Sequence, residues 1–436
     1  MNLKFYSILI LLSVLLLSCN STNVDDDNII DGIEEKSKPN ILLIIADDMG
    51  LDATPNYPQG IIKPNMPNLQ KLMDSGITFD NLWSYPVCSP TRASILTGKH
   101  GLKTNVFEAG DVISTAETSL QKFIDDGTSN DYSTAIIGKW HLSNSGSDPA
   151  IMGIDYFAGL IRGGVQSYTD WSLNINGQTS NSTEYTTTKF TDLAINWVDN
   201  QTKPWFLWLA YNAPHTPFHL APQELHMQGI LPTDSGSIDA NPMPYYMSAI
   251  EAIDTEIGRF LENMSIEEKA NTIIIFIGDN GSPNQVAQVP YSRLKSKNSI
   301  YQGGVNVPMI VSGFNVNRVG EREDALISTT DLFVTIANIA GVNTISYENS
   351  SSFYPLLTNE LASSNEFVYT EISNNGSAYA IRNAKYKLIK YDDGTEEFYD
   401  LNSDPYENVN IIERTLTAEE SNEKILLETE ALRIRS

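Results

Sequence analysis

The sequence predicts an α/β fold: a mostly parallel, doubly wound sheet flanked by helices, with a smaller α+β part at the C-terminus. Three observations predict it. Several short apolar runs stop abruptly at polar residues, as strands buried on both faces of a parallel sheet do. Segments with helical spacing lie between these runs, so strand and helix alternate. Near the C-terminus, "KYKLIKY" and "EEFYDL" flank an Asp-Gly pair, a strong short-range hairpin signal.

The elements follow in chain order. Residues 1–19 read as a lipoprotein signal: Lys4, an apolar run from Ile8 to Leu17, then Leu-Ser-Cys ending at Cys19. That run is shorter than the ~20 residues a spanning helix needs. Cys19 is then the expected lipidated residue, and 20–37, with Asp25, Asp26 and Asp27, the tether of a protein anchored in a bacterial cell envelope.

The first strand, in "NILLIIADDMG", runs from Ile41 to Ala46 and ends at Asp47 and Asp48; "PNLQKLMDSG" follows as a helix. In "CSPTRASILTG", Pro90 suits a first helical turn, which puts Cys88 or Ser89 near the N-cap. "STAIIGKWH" is a strand ending at Lys139 and His141, and "WFLWLAYNAPHTP" one ending near His215. "TKFTDLAINWVDN" and "YYMSAIEAIDTEIGRFLENM" have helical spacing, and "NTIIIFIGDNG" is a strand ending at Asp279 and Asn280. A large domain over 38–344 and a smaller α+β domain over 345–436 are expected, the latter closing on an amphipathic helix in "TAEESNEKILLETEALRIRS".

In open α/β sheets ligands bind outside the carboxyl ends of the strands, so these strand-end side chains are expected to converge at one mouth. Asp47, Asp48, Asp279 and Asn280 are all oxygen donors, and no Cys or His cluster has zinc spacing. A hard cation such as Ca2+ or Mg2+ fits that set. Lys139, His141, His215 and Lys297 supply cations and proton carriers, whereas His219 and His226 read as structural. Cys88 faces the positive end of its helix, and Arg92, one turn on, adds a guanidinium suited to an oxyanion. With Cys19 acylated, Cys88 has no intramolecular disulfide partner. An inert buried thiol is the competing explanation.

The formal charge of -26 argues against nucleic-acid binding and against adsorption to anionic lipid by surface charge. A hydrophobic fraction of 41% is ample for a sizeable core.

"CSPTRASILTG" resembles the sulfatase signature of the alkaline phosphatase superfamily, Cys-x-Pro-x-Arg followed by Leu-Thr-Gly. "PNILLIIADDMG", "GKWHL", "APHTP", "GDNG" and "KNSIYQGGVNVPMIVSG" are similar to further blocks of that family, in the same order, and the likeness extends over about 38 to 410. It implies an alkaline-phosphatase-like central mixed sheet and a C-terminal antiparallel sheet. It also implies that a formylglycine-generating enzyme oxidises Cys88 to formylglycine (3-oxoalanine), whose hydrate is the nucleophile. Asp47, Asp48, Asp279, Asn280 and residue 88 would hold Ca2+, with Mg2+ the less usual ion. Arg92 would help acidify the hydrate, Lys139 and His141 would hold it, with His141 its base, and His215 and Lys297 would serve the leaving oxygen.

The implied substrate is a sulfate ester, on a sulfated polysaccharide or glycosaminoglycan fragment, with specificity expected in loops near 51–66, 142–186, 216–244 and 281–296. Trp171, Tyr168 and Tyr291 are candidates for stacking on sugar, with packing as the competing role. Departures from the family pattern fall at Gln302, Asn306 and Val334 and are expected to touch packing. Three alternatives stay open: a phosphodiesterase or phosphonate hydrolase of the same superfamily, a non-catalytic lipid-anchored glycan binder with Cys88 unmodified, and a thiol hydrolase pairing Cys88 with His215.

Overall fold

The protein is described by a computed structural model covering residues 38–362, 364–373 and 377–436. The signal, tether and Cys19 expectations lie outside the described residues. The larger sheet contains β1 (Asn40–Ala46), β2 (Gly76–Trp83), β3 (Ser133–Lys139), β4 (Tyr156–Leu160), β5 (Trp171–Ile175) and β6 (Gln178–Ser182). It continues with β7 (Trp205–Ala210), β8 (Thr272–Gly278), β9 (Asn306–Gly313), β10 (Glu321–Glu323) and β11 (Ile327–Ser328). Their order is β10-β2-β9-β8-β1-β7-β3-β4-β5-β6, with β11 also on β2. The central block β8-β1-β7-β3-β4 is parallel, while β9, β5 and β6 pair antiparallel to their neighbours.

The apolar runs form strands here because both faces of the block are covered. Along β1, Leu42 and Ile44 join one core with Leu207, Phe190, Ile250 and Ile253. Ile41, Leu43 and Ile45 join the other with Ile95, Ile124, Phe333 and Ile336. The helices Thr186–Val198 and Met243–Asn263 therefore close one face, and Cys88–Thr97, Leu120–Thr128 and Asp331–Ile339 the other. Every residue of β1, β7 and β8 is buried.

A two-stranded ribbon, β12 (Ser346–Tyr347) and β13 (Ser350–Ser351), precedes an antiparallel sheet of β14 (Val368–Ile372), β15 (Ala378–Arg382), β16 (Tyr386–Tyr391) and β17 (Glu396–Asp400). The Asp-Gly turn joins β16 to β17, with Gly394 in the left-handed region at φ 89°. Trp83, Ile300 and Val305 pack with Val368, Ala380 and Ile389, so the two sheets share a core cluster and the described residues belong to one compact unit.

The last helix, Ala418–Arg435, begins with a Thr417–Glu420 capping box. Its amphipathicity is weaker than expected: Leu427 and Ala431 are buried, but Leu426 and Leu432 face solvent. Among the described residues no helix is long and apolar enough to cross a membrane.

The family departures do sit in packing. Gln302 accepts the Trp83 indole N–H at 3.0 Å, and Asn306 donates to the Asp80 carbonyl at 3.0 Å. The Val334 amide donates to Ser350 Oγ at 3.0 Å, a bond that proline, lacking the donor, would forgo.

Candidate active site

Parallel register brings the strand-end residues together. Ala46 lies opposite Gly278, so Asp47 and Asp48 leave the sheet level with Asp279 and Asn280. Gly138 pairs with Ala210 one residue before Lys139, at φ 112°. A Cβ there would fall 1.9 Å from the Ala210 carbonyl oxygen, so the approach of β3 to β7 requires glycine.

Two site residues depart from ordinary backbone, Asp48 at φ 72° and His141 at φ 57°. Surrounding bonds hold both. The Asp48 amide donates to Asp279 Oδ1 at 2.9 Å, and its carbonyl accepts from Tyr246 Oη at 2.7 Å. The His141 amide donates to the Ile161 carbonyl at 3.1 Å, and its carbonyl accepts from Ser89 Oγ at 2.8 Å. Such strained, over-determined positions concentrate at functional sites.

Cys88 is the first residue of a helix whose ten residues are all buried, entered from extended Val87 and closed by left-handed Gly98. Its Sγ lies 3.2 Å from His141 Nδ1 and 3.4 Å from Lys139 Nζ. Arg92, fully buried, donates from Nη2 to Asp279 Oδ2 and from Nη1 to the Lys139 carbonyl, each at 2.8 Å. Lys139 forms a buried ion pair with Asp47. Lys297 Nζ lies 2.6 Å from Asp48 Oδ2, and His215 Nε2 lies 3.8 Å from the same oxygen. The Nδ1–H of His215 donates to the Thr216 carbonyl at 2.7 Å.

Burial pushes the Asp47 carboxyl well up, and Asp279 adds to it against the pull of Lys139. Burial also opposes ionisation of Asp48, but Lys297 and His215 win and hold it well below the usual carboxylate range. Burial, then Lys139 and Arg92, push His141 far down; burial brings His215 down to about 4 despite Asp48. Burial likewise raises the Cys88 thiol, with Lys139 opposing. A thiol held protonated, and facing His141 instead of His215, is poorly suited to the thiol-hydrolase alternative.

The donor set fits a hard cation. Asp47 Oδ1 and Asn280 Oδ1 are buried without any hydrogen-bond partner, which is unfavourable unless something positive meets them. Ligand atoms of Asp47, Asp48 and His215 lie within 4.8 Å of one another, as do those of Asp47, Cys88 and Asp279. Carboxylate oxygens predominate in these two groups, a composition suited to a hard cation.

All the strand-end candidates, with Cys88, Arg92 and Lys297, thus meet at one mouth. Sequence inspection does not show that Ser89 and Tyr246 pin the two strained residues: Ser89 reads only as a possible N-cap, and Tyr246 only as part of a helix. Gly163 also escapes it: its backbone packs so closely on His141 that a Cβ would lie 2.2 Å from Nε2. The proposed stacking aromatics pack instead. Tyr168 is buried and donates to the Asn212 and His215 carbonyls, Trp171 is buried with its indole N–H on the Glu184 carbonyl, and Tyr291 is buried. His219 stacks on Tyr168 and bonds Tyr185 Oη at 2.9 Å, as a structural histidine does.

An oxygen-donor pocket, a buried helix N-terminus and a ring of Lys, Arg and His at the mouth of a doubly wound sheet define a hydrolase-type anion site. The sulfatase family model matches residues 39–342, and the model for the C-terminal region of N-sulphoglucosamine sulphohydrolase matches 293–432. The chain belongs to the sulfatase family, a class of sulfuric ester hydrolases. It is 29% identical to the uncharacterized sulfatase YdeN of Escherichia coli over 71% of this chain, and the match spans 63% of YdeN's length. It is 24% identical to an ulvan-active sulfatase of Formosa agariphila, covering 93% of this chain and 82% of that protein. In structure it resembles Ps i-CgsB, solved in complex with k-i-k-neocarrahexaose (TM-score 0.75, 25% identity, 92% of this chain and 93% of that one). It also shares the fold of BT4656, solved with its substrate D-glucosamine-2-N,6-O-disulfate (TM-score 0.78, 22% identity, 92% and 98%).

Proposed function

We propose that this protein hydrolyses sulfate esters of a sulfated polysaccharide or glycosaminoglycan fragment, using formylglycine made from Cys88 and a bound Ca2+. The observation that carries the proposal is the setting of Cys88: a helix N-terminus, His141 and Lys139 at its Sγ, and Asp47 and Asp279 within ligand range of it. The glycan part rests on the relatives, of which one is ulvan-active and one was solved with k-i-k-neocarrahexaose.

Asp47, Asp48, Asp279 and Asn280 would hold the cation, which supplies charge to bind a sulfate oxygen and to acidify an oxygen at residue 88. An aldehyde hydrate at residue 88 supplies both an attacking oxygen and a second hydroxyl, which neither cysteine nor serine has. The chain's own residues would do the rest. Arg92 and Lys139 bring fixed positive charge beside residue 88, and His141, with Nδ1 3.2 Å from it, is placed to accept its proton. Lys297, kept charged by Asp48 against burial, and His215 would stabilise or protonate the oxygen that leaves sulfur.

Mass spectrometry of the peptide spanning residue 88, after co-expression with a formylglycine-generating enzyme, tests maturation: a mass below that of cysteine is expected. The matured enzyme is expected to cleave an aryl sulfate faster, by kcat/KM, than the matching aryl phosphodiester, to lose activity to a chelator and to regain it with Ca2+. Faster diester cleavage would assign it to the phosphodiesterases instead, and a binder would cleave neither. We further propose that Cys19 is lipidated and holds the protein to the bacterial envelope. Labelled fatty acid fed to the native host should enter the wild-type protein and not a Cys19→Ala variant.

A further inference from the structure

Two arginines stand apart from the rest. Every other arginine of the chain forms an ion pair or donates side-chain hydrogen bonds. Among the described residues, the guanidinium groups of Arg162 and Arg293 have no such partner, although acidic residues outnumber basic ones 54 to 28. Both are exposed, and each lines a cavity, of about 600 Å³ at Arg162 and about 610 Å³ at Arg293.

Each cavity adjoins backbone that touches His141 or His215. The Arg162 cavity includes Ile161, whose carbonyl takes the His141 amide, and Gly164, whose Cβ would lie 3.6 Å from His215 Cε1. The Arg293 cavity includes Thr216 and Pro217, which follow His215, and the Thr216 carbonyl takes the His215 Nδ1–H. Each cavity also holds one acid. Asp170 is engaged by Asn181 at 2.9 Å, and Asp239 forms no ion pair with Arg293. A guanidinium fork binds a carboxylate or a sulfate through paired N–H groups, and one left without an internal acceptor is available for a ligand.

We propose that the substrate carries further anionic groups besides the scissile sulfate, one read by Arg162 and another by Arg293. This inference rests on the sulfatase reading and narrows it to a glycan whose neighbouring sugars are themselves charged. Sulfate and carboxylate share the chemistry required, so the probes separate them: a carrageenan oligosaccharide bearing sulfate alone, and a chondroitin sulfate oligosaccharide that also bears carboxylates.

The test compares wild type, Arg162→Gln, Arg293→Gln and the double variant, all matured, on both oligosaccharides and on an aryl sulfate with no flanking charge. On whichever oligosaccharide the wild type cleaves, each substitution is expected to lower kcat/KM roughly tenfold to a hundredfold. The loss should fall mainly on KM and exceed that on the aryl sulfate at least tenfold. Equal losses on both substrate types, or no loss on the oligosaccharide, would overturn the proposal. If the wild type cleaves no sulfate ester, the sulfatase reading fails by itself. Calorimetric titration of the same oligosaccharides into Cys88→Ser, with and without the two arginines, then decides separately: binding weakened by their removal supports the proposal, and unaltered binding overturns it.

Discussion

In the proposed reaction Cys88, Arg92 and Lys297 have distinct roles, and each is expected to fail differently when replaced. On that proposal Cys88→Ala removes the route to a hydrated aldehyde, so turnover of an aryl sulfate should fall to background while the circular dichroism spectrum stays native. Arg92→Ala leaves the Asp279 carboxylate buried without its guanidinium, a loss of about 3–5 kcal/mol that thermal unfolding would show as a large drop in Tm. Lys297→Ala should lower kcat for a sugar sulfate by roughly a hundredfold or more. It should lower it much less for nitrophenyl sulfate, whose leaving oxygen needs little help; equal losses would remove Lys297 from that role. Cys88 and Arg92 were legible in the sequence because they sit in a short motif at a helix start, and Lys297, in a loop, because it opens the block "KNSIYQGGVNVPMIVSG". The roles of Ser89 and Tyr246 were not, since each acts on a backbone carbonyl far along the chain.

At the scale of elements, the helix that begins with Cys88 is tied to the small sheet through the loop after it. His100 Nδ1 lies 2.7 Å from Tyr85 Oη, and its ring meets Tyr369 of β14 edge-on at 4.9 Å. Burial, with Lys103 adding, pushes its imidazole down to about 3. The folded protein therefore stays unprotonated at His100 where the unfolded chain, at the ordinary value of 6.5, takes up a proton. Stability from this group is complete above 6.5 and is lost as pH falls from there toward about 3. His100→Gln should flatten the decline of Tm between about pH 7 and pH 5; an unaltered slope would place that titration elsewhere. The strands, the helices between them and the Asp-Gly hairpin were all legible, because burial on both faces and turn chemistry are written locally. That Leu426 and Leu432 face solvent was not, since which face of the last helix docks was set by its packing on the sheet.

Over the whole molecule, the small sheet supports the loop that carries Lys297. Lys387 on β16 donates to the Ile300 carbonyl at 2.8 Å and pairs with Glu407, whose other carboxylate oxygen takes the Gln302 amide at 2.6 Å. Glu407→Ala strands a buried ammonium and releases that loop, so it should cost about 3–5 kcal/mol by denaturant unfolding and also lower kcat. The C-terminal part thus has a specific route into the site. By itself, the sequence determined which residues carry the chemistry and that they follow buried parallel strands, since residue type and periodicity are local properties. Only the tertiary structure decided that Asp47 Oδ1 and Asn280 Oδ1 stay unpartnered, that Asp48 and His141 adopt left-handed backbone, and that Arg162 and Arg293 stand without an internal partner in two cavities. Those facts depend on packing between distant segments, over two hundred positions apart for Asp48 with Asp279 and Asn280, and no short window of sequence contains that packing.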